Sequence, residues 1–247
     1  MPVTAPDQIP ASARLAGPPA PTPYFEDAYL KLQLGFARNA IVAVDGEPGT
    51  GKTTCLVYAA ENQERPAAIV TMPHRPSPLD LLRYTYQAVT GTAPSRRLSG
   101  FDLANELLAH LKEWRGVLAI DELQNCFVEA LQQLVWLHEN SQAAFSLACV
   151  GHGVVDAADR YPQLRSRMLS TATLRRLDGD LVPATAARLH PCFAATDPAV
   201  LHQHDLLACR GLFREWAKSA AVVDGLGMEG ALTVKDLASV RAIIREG

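Results

Sequence analysis

Eight consecutive residues, Gly46-Glu47-Pro48-Gly49-Thr50-Gly51-Lys52-Thr53, combine glycines, a lysine and a threonine at a spacing suited to holding phosphate. The pattern is G-x-x-x-x-G-K-[ST], and it stands where its mechanism needs it, between the short apolar run Ala40–Asp45 and a helix start. Glycines let the backbone fold so that successive N–H groups point inward at phosphate oxygens, and the positive end of the next helix adds to that field. On this reading residues Gly46 to Lys52 cradle a nucleoside triphosphate, with Thr54 beside them at the helix start. Lys52 reaches the β- and γ-phosphates, while the Thr53 hydroxyl ligates a cation, so ATP with Mg²⁺ is the expected pair.

A second set of reactive groups follows the run Gly116-Val117-Leu118-Ala119-Ile120, which ends in Asp121-Glu122. An apolar strand delivering two acids suits phosphate hydrolysis: Asp121 holds the Mg²⁺ shell, and Glu122 polarises the attacking water as general base. Acids at a strand end also serve as helix caps, a reading that loses weight once a phosphate loop is present in the same chain. Such a strand can lie beside the strand that feeds the loop.

These motifs need a scaffold, and the surrounding pattern supplies one. Periodicity predicts helices over Tyr24–Arg38, Thr53–Ala60, Pro78–Val89, Phe101–Trp114 and Val128–Asn140, and strands over Ala40–Asp45, Ala67–Thr71, Val117–Asp121 and Phe145–Gly151. Short apolar strands alternating with helices imply an α/β fold, a parallel sheet sandwiched by helices, because parallel neighbours need crossover connections. After about Asp178 the strand pattern stops, and Leu181–Leu189, Val200–Cys209, Leu212–Val223 and Val234–Glu246 read as a small C-terminal helical lid. The expected organisation is a Pro/Ala-rich flexible arm at 1–23, an ATPase core at 24–178 and the lid at 179–247.

Composition narrows the classes further. With 48% hydrophobic and 20% charged residues the chain can bury a sizeable core. A net charge of −3 gives no overall pull toward nucleic acid, so any such contact needs a local basic patch. The five scattered cysteines contain no C-x-x-C pair and read as reduced packing residues; the seven histidines form no spaced ligand set. No apolar run approaches the roughly 20 residues of a membrane span, and the start lacks an apolar signal core, so a cytoplasmic protein without membrane contact is expected.

With both motifs placed, the chain resembles the AAA+ superfamily of P-loop NTPases. Ser146-Leu147-Ala148-Cys149-Val150-Gly151-His152 is similar to the sensor-1 strand, with His152 where Asn, Thr or Ser is usual; His152 also reads as a surface histidine. Gly211-Leu212-Phe213-Arg214 resembles the Gly-x-x-Arg of sensor 2, which implies that Arg214 touches nucleotide phosphates unless it is a solvated helix residue. Pro162-Gln163-Leu164-Arg165-Ser166-Arg167-Met168 is similar to the segment carrying arginine fingers that act in trans, so Arg165 or Arg167 is the expected finger; a basic surface turn explains it almost as well.

Within that superfamily the arrangement most resembles the transposition regulators of the TniB, TnsC and Mu B-protein type, with the secretion ATPase ExeA as a cousin. The features are Gly46–Thr54, the exit of strand 2 through Thr71-Met72-Pro73-His74-Arg75-Pro76-Ser77-Pro78, Ile120-Asp121-Glu122-Leu123-Gln124-Asn125, and Gly151 followed by Leu164-Arg165-Ser166-Arg167. This resemblance implies an ATP-dependent homo-oligomer, ring or helical filament, on duplex DNA that recruits or stimulates a transposase. His74, Arg75, Arg96 and Arg97 are then the expected DNA contacts, gripping phosphates without reading bases. All four also read as solvated loop charges. An ATPase in secretion, defence or signalling that acts on a protein partner without DNA is the alternative, and a nucleotide switch with little turnover is a third.

Overall fold

Residues 20–246 are described in the computed structural model. Most of the arm expected at 1–23 lies outside them. The apolar runs become β1 (Ile41–Gly46), β2 (Ala67–Thr71), β3 (Val117–Asp121) and β4 (Ser146–Val150), joined by β5 (Met168–Leu174). The helices are α1 (Pro23–Ala37), α2 (Lys52–Glu61), α3 (Pro78–Thr90), α4 (Gly100–Trp114), α5 (Val128–Asn140), α6 (Val154–Asp159), α7 (Pro162–Arg167), α8 (Leu181–Leu189), α9 (Pro191–Ala195), α10 (Pro198–His204), α11 (Phe213–Gly225) and α12 (Val234–Glu246). Among the described residues the contacts separate two compact units, 26–46 with 52–173, and 20–25 with 47–51 and 174–246.

The first unit is built on the sheet, whose strand order is β2-β3-β4-β1-β5. Parallel ladders pair Ile41 with Leu147, Val117 with Ser146, and Ala67 with Val117. β1, β3 and β4 are buried along most of their length, so their sequences are continuous apolar runs without alternation. Ile41, Ala43, Leu118, Ile120, Leu147 and Cys149 pack into one core with residues of α3, α4 and α5. On the opposite sheet face α1 comes so close that a Cβ on Gly35 would fall 2.4 Å from Val42 Cγ1. Ser77 and Asp80 cap α3 reciprocally, which fixes where the chain turns after leaving β2.

Two expectations are corrected here. β3 is not the neighbour of β1, because β4 lies between them. The sheet also has a fifth strand, where the sequence suggested only a basic turn and loop. β5 reads MLSTATL and is mostly half-exposed or exposed at the sheet edge, so it lacks the continuous apolar run of an inner strand.

The second unit contains α8 to α12 around a core of Val182, Phe193, Leu201, Trp216, Val223 and Val240. The single helix expected over Val200–Cys209 is instead α10 followed by a π turn, Asp205–Cys209. Asp205 explains the break: its buried carboxylate accepts from the Gly211 N–H at 2.8 Å and from Trp216 Nε1 at 2.9 Å, which draws the chain out of regular helix. All five cysteines are buried, Cys55, Cys126 and Cys149 in the first unit and Cys192 and Cys209 in the second.

Candidate active site

β1 carries its chain out of the core through Asp45 into the loop, and α2 begins at Lys52. Between them Gly49 and Gly51 have φ of +87° and +97°, conformations that side-chain-bearing residues rarely adopt. A Cβ on Gly51 would meet nothing within 4 Å, so its backbone is open to a ligand. Lys52 is buried, and its Nζ donates to the Gly46 carbonyl at 2.8 Å, which holds the ammonium at the root of the loop.

The acids meet the loop's threonine directly. Thr53 Oγ1 donates to Asp121 Oδ2 at 2.7 Å, while Asp121 Oδ1 accepts the Glu122 N–H at 2.9 Å. Burial pushes the Asp121 carboxyl above the usual Asp value; its bonds to Thr53 and the Glu122 N–H, and the Lys52 charge, pull the other way. A buried carboxylate short of positive charge, with a hydroxyl at hydrogen-bond distance, fits a divalent cation. Among the described residues no group of three or more His, Cys, Asp or Glu could enclose a metal. Thr53 and Asp121 would therefore be the residues to hold Mg²⁺, with phosphate oxygens and water as its remaining ligands.

Glu122 follows β3 in the left-handed region at φ 58°, uncommon for a residue with a side chain. Its carboxylate accepts from Gln124 Nε2, and Asn125 Nδ2 anchors the same turn to the Met72 carbonyl at 3.1 Å. His152, just after β4, has its N–H bonded to Gln124 Oε1 at 3.1 Å and its Nδ1 3.3 Å from the Gly46 carbonyl. Gly46, Lys52, Thr53, Asp121, Glu122 and His152 thus form one connected set, with Thr54 in the first turn of α2 beside Thr53.

Two further residues joined to that set were given no role in the sequence reading. Asp45 accepts N–H bonds from Gly46, Gly153 and Val155 at 2.6, 2.9 and 3.0 Å, tying the loop after β4 to the end of β1. Its only sequence signal is an acid placed immediately before the loop. Gln124 is the other, and nothing but its nearness to Glu122 marks it.

In the second unit, residues 47–51 lie against the start of α11. The Arg214 N–H donates to the Gly49 carbonyl at 3.1 Å, and the Arg214 side chain is exposed. Glu47 is gripped by Arg176, whose Nε lies at 2.9 Å and whose charge state is held up chiefly by that hydrogen bond. Pro48 is exposed, and Thr50 Oγ1 bonds back to the Glu47 carbonyl at 2.9 Å.

The remaining expected residues stand on exposed surface. Arg165 pairs with Asp159 at 3.3 Å, and Arg167 pairs with Glu139. His74, Arg75, Arg96 and Arg97 are exposed, with the Arg75 guanidinium 5.9 Å from the Phe127 ring centroid. No helix among the described residues is long and apolar enough to cross a membrane.

Residues 37–157 match a family model described as AAA domain. None of the curated proteins matches the sequence. Among solved structures the chain is similar to the Aeropyrum pernix ORC1 protein in complex with DNA, at 16% identity and TM-score 0.69, over 96% of this chain and 68% of that one. Cdc6p from Pyrobaculum aerophilum is similar at 16% identity and TM-score 0.69, over 87% of this chain and 66% of that one. The Thermotoga maritima RuvB Holliday junction branch migration motor is similar at 17% identity and TM-score 0.57, over 88% of this chain and 68% of that one. The chain spans about two thirds of the length of each, and the likeness is one of fold. With residues 37–157 similar to an AAA domain, and the loop threonine bonded to the strand-end aspartate, the chain is an ATPase that works on ATP with Mg²⁺.

Proposed function

We propose that this ATPase regulates transposition: it binds duplex DNA in its ATP state, assembles as a ring or helical filament, and recruits or activates a transposase. The observation that carries the DNA part is a set of exposed cations on the two loops flanking α3. His74, Arg75, Arg96 and Arg97 are all exposed there, and none is in an ion pair among the described residues. Unneutralised cations on the loops at the two ends of α3 suit a phosphate backbone and carry no base-reading geometry. ORC1 in complex with DNA and the Holliday junction motor RuvB support the same direction.

In this reading Lys52 and the loop N–H groups bind the phosphates, with Thr53 and Asp121 holding Mg²⁺. Held by those two residues, Mg²⁺ would supply charge neutralisation at the β- and γ-phosphates. Glu122 takes the proton of the attacking water, and His152 and Arg214 sense the γ-phosphate. Arg165 or Arg167 serves the site of a neighbouring subunit, and residues 179–247 act as a lid.

Removing the charges of Arg75, Arg96 and Arg97 together should weaken duplex binding alike across sequences and flatten its salt dependence, since fewer counterions are released. ATP affinity should survive. Filter retention of unrelated duplexes over a salt series, with and without ATP, reads both. If the unaltered protein retains no duplex in any nucleotide state, the DNA reading falls. The protein-partner reading, for which the exposed Leu206 and Leu207 speak, then replaces it.

A further inference from the structure

The glycine at 151 has no positive φ to explain it, yet a Cβ there would stand 2.0 Å from Gln124 Oε1 and 3.1 Å from the Gln124 amide carbon. Space is therefore what position 151 provides, and the Gln124 amide fills it. Both ends of that amide are used. Nε2 donates to the Glu122 carboxylate, and Oε1 accepts from the His152 N–H at 3.1 Å. A carboxylate only accepts and a backbone N–H only donates, so a single orientation of the amide satisfies both partners. The backbone of Glu122 is itself held in the left-handed region, which aims its side chain toward this contact.

We infer that Gln124 is a positioning residue for hydrolysis: it pins one carboxylate oxygen of Glu122, leaving the other to accept the proton of the attacking water, and links that orientation to the Gly151–Gly153 loop. The same loop reaches the phosphate loop, through His152 Nδ1 at 3.3 Å from the Gly46 carbonyl and through the Gly153 N–H on Asp45. A shift at the phosphate end is thereby felt at Glu122 through three hydrogen bonds. The inference rests on the reading of Glu122 as general base.

The test combines Gln124→Leu with Gly151→Ala in steady-state ATP hydrolysis. Gln124→Leu keeps the bulk and removes both hydrogen bonds; kcat should fall roughly ten- to a hundredfold, as when other orienting partners of reactive groups are lost. KM and the affinity for a fluorescent ATP analogue should stay within about twofold, which also reports an intact fold. Gly151→Ala leaves residue 124 in place but drives its amide out, so it should reproduce the same kcat loss. Added to Gln124→Ala it should cost clearly less than alone, because the obstructing oxygen is gone and only Val154 Cγ2, 3.0 Å from the added Cβ, stays close. In a Glu122→Gln background, Gln124→Leu should not lower the residual rate further. Unchanged kcat in Gln124→Leu, or a Gly151→Ala penalty that persists in full beside Gln124→Ala, overturns the inference. A Glu122→Gln variant that hydrolyses ATP normally would instead remove the general-base reading beneath it.

Discussion

Lys52 is buried at the root of a loop whose other groups are backbone N–H donors, so it is the one full positive charge the loop itself brings to the phosphates. Replacing it with Ala should abolish tight ATP binding, because a methyl group balances none of the β/γ charge and the loop alone cannot supply it. Isothermal calorimetry with ATP and Mg²⁺ checks this, and unchanged affinity would dismiss the loop as the nucleotide site. Gly46 to Thr53, Asp121 and Glu122 were legible because their chemistry depends on spacing within a few residues. Asp45 and Gln124 were not: their partners Gly153, Val155 and His152 are far away in sequence, and an Asp or a Gln in a polar stretch is unremarkable. The Thr53 to Asp121 bond itself spans 68 positions and became visible only once the sheet order was known.

Among the elements, β4 separates β1 from β3 and so puts the Gly151–Gly153 loop between the end of β1 and the acid pair. The individual strands were predictable from apolar runs, whereas their lateral order was not, since every inner strand is buried on both faces and reads alike. β5 was missed for the opposite reason, its Ser and Thr residues at an edge. The helices of the second unit hold an element-scale device of their own. His204, at the end of α10, bonds Ser219 Oγ of α11 at 2.9 Å, lies 3.5 Å from an Arg241 nitrogen of α12, and packs edge-on against Trp216. Burial first, and the Arg241 charge second, push it down from 6.5 to about 4. The folded helices therefore keep His204 neutral where the unfolded chain protonates it, so stability is intact above about pH 6.5 and declines as pH falls toward 4. The loss should reach up to about 3 kcal/mol. Scanning calorimetry of the unaltered protein and of His204→Gln over that range tests it: Tm should fall with pH in the former and stay flatter in the latter.

For the whole molecule, the proposed trans-acting finger would make hydrolysis a property of the assembly. Arg165 and Arg167 are both exposed on α7 and tied to nearby acids by exchangeable surface pairs of little energetic worth, so either is available to a neighbour. One of the two, replaced by Ala, should lower kcat by roughly 10³-fold or more without loss of ATP binding. Mixing that variant with Glu122→Gln should restore part of the rate. No recovery at any ratio, with monomeric sedimentation in ATP, would refute a shared site. Nothing in the sequence distinguishes the two arginines, because the choice depends on a surface the single chain does not complete. The buried cysteines offer another view of the same molecule. Burial lifts the thiols of Cys55, Cys126, Cys149 and Cys209 to about 12, so at neutral pH each is a poor nucleophile until its surroundings open. Alkylation resolved by mass spectrometry then becomes a pair of clocks, Cys126 and Cys149 timing the breathing of the sheet unit and Cys209 that of the helical unit. Cys55, one turn along α2 from Lys52, times the segment that ATP itself should quiet.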